Sequence, residues 1–120
     1  MTRNRIWRNI STEEAEMVGA IVSGSGVPEG QPLLDDLPGA MVLQDSVWIY
    51  EVKTPNNRAG VAIPNGLFPA RAFVPDRASY RGEILLWVKD GHLSALEYAW
   101  VTDEAPTRWP TPDEMEIVAQ

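Results

Sequence analysis

Residues 82–101, GEILLWVKDGHLSALEYAWV, set two apolar runs on either side of Asp90-Gly91. That dipeptide accepts φ > 0 at both central positions of a type I′ turn, whose twist matches that of paired strands. The stretch therefore predicts a β-hairpin with strands over 83–89 and 92–101. Simple pairing across a two-residue turn puts Val88 opposite Leu93, Leu86 opposite Ala95 and Ile84 opposite Glu97, a carboxylate beside the core. One extra residue near Ser94-Ala95 changes the facing set to Val88 with Leu93, Leu86 with Leu96 and Ile84 with Tyr98. Period-two alternation thus predicts a β-bulge at that point, with Glu97 turned to the other face. That face still carries Leu85 and Trp87, so it too needs partial cover.

Upstream, Ser11-Thr12-Glu13-Glu14 reads as a capping box, and Ala15, Val18, Ile21 and Val22 form one apolar stripe. Ser23-Gly24-Ser25-Gly26 and Pro28 stop the pattern, which predicts an amphipathic helix over about 12–23. Residues 27–39 carry Pro28, Gly30, Pro32, Pro38 and Gly39 and read as loop, with Leu33, Leu34 and Leu37 needing apolar cover. Residues 40–44 and 47–53 read as strands around a turn at Asp45-Ser46, the second closed by Thr54-Pro55-Asn56-Asn57. Both faces of that second strand carry large apolar groups. Val61–Ile63 and Ala70–Val74 are bounded by prolines and are expected at most as edge or irregular strands. Asn65-Gly66 is a turn signal.

After Trp100 the chain turns acidic, with three prolines and one tryptophan in residues 103–114. That excludes a long helix or an inner strand, and Trp109 is expected to clamp the segment back onto the domain. Met115–Val118 reads as a short terminal strand. The expected fold is one α+β domain over 1–120, an N-terminal helix packed on a mostly antiparallel twisted sheet of four to five strands, with 1–10 and 119–120 as candidate mobile ends.

The 120 residues carry a net charge of −7 and no cysteine, which excludes disulfides and thiolate chemistry. Arg3, Arg5 and Arg8 are the only basic cluster, so neither nucleic acid nor anionic lipid is an expected partner. No apolar region follows the polar start and no run is long enough to span a bilayer, as in a soluble cytoplasmic protein. An acidic surface suits a basic protein partner.

His92 is the only histidine and sits beside the turn, where an exposed side chain is expected. A Ser-His-Asp arrangement or a histidine-rich zinc site has no support. Asp35-Asp36, Asp103-Glu104 and Asp113-Glu114 are adjacent pairs that point apart on an extended chain and read as solvated charge; no metal or cofactor is expected. Glu97, between Leu96 and Tyr98, is the one carboxylate placed to have a raised pKa and do chemistry, although pairing with Arg71 or Arg81 is the more frequent outcome. Trp48, Trp87 and Trp100 fall in predicted strands, as core or as partner anchors.

The pattern of a strand, Asp90-Gly91, a strand with Leu93-Ser94-x-Leu96-Glu97, then Asp103-Glu104-x-Pro106 and Trp109-Pro110-x-Pro112, resembles the end of a class of small bacterial proteins, some of them immunity-like companions of toxins. The resemblance covers residues 82–118. It implies a compact α+β protein that works by binding and carries no catalytic residue to transfer. The first expectation is a non-enzymatic binding protein, an immunity protein whose acidic surface blocks a basic toxin, with Asp103, Glu104, Trp109, Asp113 and Glu114 as contacts. The alternative is a small-ligand-binding or hydrolytic domain using Glu97 and Tyr98. A third is an oligomerisation module joined at an edge strand.

Overall fold

The computed structural model describes residues 6–54, 62–75 and 81–119. Arg3, Arg5, the Pro55-Asn56-Asn57 turn and Val61 lie outside them. In chain order the elements are β1 (Arg8–Asn9), α1 (Thr12–Gly24), a 3-10 turn (Pro28–Gly30), α2 (Gln31–Asp35), β2 (Met41–Ser46), β3 (Ile49–Lys53), β4 (Gly66–Leu67) and β5 (Ala70–Val74). They continue with β6 (Gly82–Lys89), β7 (His92–Trp100), a second 3-10 turn (Pro112–Glu114) and β8 (Glu116–Ala119). The strands form one sheet in the order β1-β2-β3-β7-β6-β5-β8, with β4 also paired to β6. Every pairing among the described residues is antiparallel.

The α+β class and the antiparallel sheet hold, but the sheet has eight strands among the described residues where four or five were expected. β1 and β4 are two residues each, too short to show as a hydrophobic pattern.

The β6–β7 hairpin is as the period-two argument requires. Asp90 and Gly91 take φ of 53° and 77°, the positive values of the expected turn. Val88 faces Leu93 and Trp87 faces Ala95, so Ser94 is the extra residue; beyond it Leu86 faces Leu96 and Ile84 faces Tyr98. Leu96 and Tyr98 are buried, while Glu97 lies half-buried on the opposite face between Leu85 and Ile49. The bulge thus keeps a carboxylate out of the core.

Helix α1 begins with the expected reciprocal cap: Glu14 N–H donates to Ser11 Oγ at 3.1 Å, and Ser11 N–H donates to Glu14 Oε1 at 2.9 Å. Its buried stripe is Met17, Val18, Ile21 and Val22, each contributing about 1.5–3 kcal/mol by leaving water, while Ala15 is only half-buried. The helix lies against β5, β8 and the 112–114 turn, and the core fills the space between it and the sheet face bearing Val42, Val52, Ala72, Ile84, Leu86 and Leu96.

Three expectations need correction. Residues 70–74 form an inner strand, paired to β6 on one side and β8 on the other. Pro69 and Pro75 only flank the strand, so its ladder donors are intact. Residues 27–39 are not all loop: Pro28 and Pro32 stand in the first turns of short helices, where a missing N–H costs nothing, and the turns bury Leu33. The β2–β3 turn falls on Val47-Trp48, not Asp45-Ser46, with Ser46 facing Ile49 and Trp48 at φ 65°. The first strand joins the sheet edge with Arg8 facing Val42 and Asn9 facing Met41.

The same glycine-to-alanine change should act with opposite signs at two places. A Cβ on Gly82 would collide with the Ala99 carbonyl and lie 2.8 Å from Trp100 Cα, so Gly82→Ala should cost more than about 2 kcal/mol. A Cβ on Gly19, inside α1, meets nothing within 4 Å, so Gly19→Ala should stabilise by up to about 1 kcal/mol. Urea denaturation of the two variants measures both.

Candidate functional site

The cap of α1 turns the Glu14 carboxylate inward instead of toward solvent, and two other parts of the chain meet it there. Arg8, on β1, reaches it with both terminal nitrogens at 2.9 and 2.7 Å, and the Trp109 indole donates to Oε2 at 3.2 Å. With the Ser11 amide, the carboxylate is a fully engaged acceptor although Glu14 is only 2% exposed. Burial pushes the Glu14 carboxyl up, but the hydrogen bonds from Arg8 and Ser11 outweigh it and hold it below the usual carboxylate range.

Around this carboxylate stands a cluster of rings. Trp109 meets Trp48 edge-on at 4.9 Å and 80°, lies 5.4 Å from Tyr50, and stacks at 6.0 Å and 15° on Tyr98. Positive φ is rare for a bulky side chain, and at Trp48 it is held by two tertiary bonds. The Trp48 carbonyl accepts from Tyr98 N–H at 2.9 Å, and its indole donates to the Pro106 carbonyl at 2.8 Å. Between the start of α1, the β2–β3 turn and residues 107–112 lies a cleft of about 470 Å³, walled by Trp48, Tyr50 and Trp109 with Glu13 and Glu16 on its rim.

The acidic C-terminal segment is therefore fixed. Pro106 and Pro110 are buried, and Trp109 is half-buried as the expected clamp, with its indole N–H committed to Glu14. Asp103 and Glu104 are exposed; Asp113 is exposed and accepts from Thr111 Oγ1 at 2.6 Å. Glu114 binds Arg108 through two contacts at 2.7 and 2.9 Å and the Thr111 amide at 2.9 Å. The Arg108 bonds, then the Thr111 amide, bring its carboxyl down to about 2.

The other singled-out residues lie elsewhere. Tyr98 is part of the core at 2% exposure. Glu97 is on the opposite sheet face and Arg71, one of its expected partners, instead binds Glu83 at 2.7 Å. His92 and Asp36 depart from expectation: His92 Nδ1 lies 3.1 Å from Asp36 Oδ2, with the aspartate side chain 1% and the histidine 24% exposed. Asp36 caps the end of α2, so the pair ties that turn to the tip of the hairpin. Neither adjacency in sequence nor turn chemistry brings these two residues together. Among the described residues, no three His, Asp or Glu side chains gather as a metal site and no helix is long and apolar enough to cross a membrane.

The chain matches no protein-family model, no curated protein and no solved structure.

Two measurements follow from this geometry. Because Glu14 is held low in the folded state, its contribution is fully present above the ordinary value of 4.5 and is lost as pH falls through its own lower value. Glu114 acts in the same direction, with a share reduced by solvent screening. Thermal melts should therefore fall steeply below about pH 4.5, and Glu14→Gln, weaker at pH 7 by about 1–3 kcal/mol, should show a flatter acid limb. At the hairpin tip, His92→Ala should cost about 1–3 kcal/mol by removing a partner of a buried carboxylate, whereas a solvated turn residue would cost under about 0.5 kcal/mol.

Proposed function

We propose that the protein is a non-enzymatic binding protein that engages a basic protein partner, as an immunity protein engages a toxin. The observation that carries this reading is the pinned acidic segment. Asp103, Glu104 and Asp113 are exposed on a stretch whose backbone is tied down at Pro106, Trp109 and the 112–114 turn. A segment ordered in advance loses little conformational freedom on binding, so its charge acts at a defined place. The net charge of −7 supports it by accelerating encounter with a basic surface.

A tagged full chain, purified from its own host at low salt, should retain a basic protein that elutes as salt rises. The triple variant Asp103→Lys, Glu104→Lys, Asp113→Lys should fold with an unchanged near-ultraviolet spectrum and bind that partner on the order of tenfold more weakly. Unchanged retention by the triple variant, or a partner that is itself acidic, would overturn the reading.

A further inference from the structure

We propose that the aromatic cleft between α1, the β2–β3 turn and residues 107–112 receives an arginine side chain of the partner. This rests on the binding reading above and names the place and the chemistry of one contact.

The cleft's volume of about 470 Å³ falls in the range of sites that enclose a ligand group. Its walls are Trp48, Tyr50 and Trp109, whose faces attract a cation. Glu13 and Glu16 on the rim are exposed and hold no ion pair among the described residues. The one cationic lining residue, Arg108, has its charge matched by the two-point contact with Glu114. The field at the mouth therefore favours a cation and repels a carboxylate or phosphate.

The protein also shows how its own wall accommodates a guanidinium. Arg8 lies 5.8 Å from the centroid of Tyr50 while forking onto Glu14, combining an aromatic face with a two-point carboxylate. The outer part of the cleft offers the same two ingredients a second time, the Trp48 and Trp109 rings with Glu13 and Glu16. A guanidinium, planar and weakly hydrated, stacks on such rings better than an ammonium, which selects arginine over lysine. The backbone at Trp48 fits this use. A positive φ in a bulky residue places an indole in the cleft at a cost in strain, and the Pro106 hydrogen bond keeps it there.

The test is a titration of the ¹⁵N-labelled full chain with the blocked tripeptide Gly-Arg-Gly, following the indole N–H signals of Trp48 and Trp109. Saturable shifts of both are expected, weaker by about threefold or more with Gly-Lys-Gly and absent with Gly-Asp-Gly. The double variant Glu13→Gln, Glu16→Gln changes only exposed side chains and should keep the native spectrum while weakening the arginine peptide by about fivefold. No saturable shift, an equal response to the aspartate peptide, or an unchanged affinity in the double variant would overturn the proposal. If the peptide fails while the Asp103, Glu104, Asp113 reversal still releases the partner, the cleft assignment falls and the binding reading survives. If the peptide binds as described while that reversal leaves the partner bound, the cleft's preference for arginine is upheld and the reading that seats the partner on the acidic segment is the one overturned.

Discussion

One carboxylate ties this fold together. Glu14 gathers Arg8 from the first strand, the Ser11 amide from the helix start and the Trp109 indole from the C-terminal segment into a single acceptor. Removing a carboxylate from water is expensive, and the expense is met only if its lone pairs are filled by well-placed donors. Here a charged two-point donor and two neutral ones do so. The arrangement explains why a segment rich in proline and acid, unable to join the sheet before residue 116, nonetheless has a fixed path. Its backbone makes few ladder bonds, and its position is set by side chains reaching across the molecule.

The aromatic cluster is the second half of the same device. A tryptophan packed beside a buried carboxylate needs a partner for its N–H and a surface for its ring. Trp109 finds the first in Glu14 and the second in Trp48, Tyr50 and Tyr98. Trp48 in turn finds its N–H partner in the Pro106 carbonyl, so the two tryptophans lock the segment from both sides of the cleft. Each ring is both a wall and a fastening.

What was legible in the sequence depended on range. The capping box, the Asp90-Gly91 turn and the bulge at Ser94 are decided within a few residues, the last because an unbulged register would set Glu97 against Ile84. The inner place of β5 was hidden because proline punctuation looks alike whether it bounds a central strand or an edge. The β2–β3 turn is not legible locally, since Asp45-Ser46 has the local chemistry of a turn while Trp48 is held in one by residues 98 and 106. For the site, the role of Trp109 as a clamp could be read from its setting between prolines. Its partner could not, since 95 residues separate it from Glu14. The Asp36–His92 pair, 56 residues apart, lies beyond local reading for the same reason.

The sheet order has a consequence for how the chain is made. β5 receives its second neighbour only when β8 arrives, and Glu14 receives its indole only when residue 109 does. During synthesis from the N-terminus, α1 is complete early, yet the strands it lies against, β5 and β8, and the ring beside its cap come late. Until then Met17, Val18, Ile21 and Val22 have only part of their final cover, and one side of β5 presents unpaired N–H and C=O groups. Closure across such separations is intrinsically slow. The nascent chain is thus a species with its own exposed surface, and the arrival of Trp109 and β8 decides when that surface disappears.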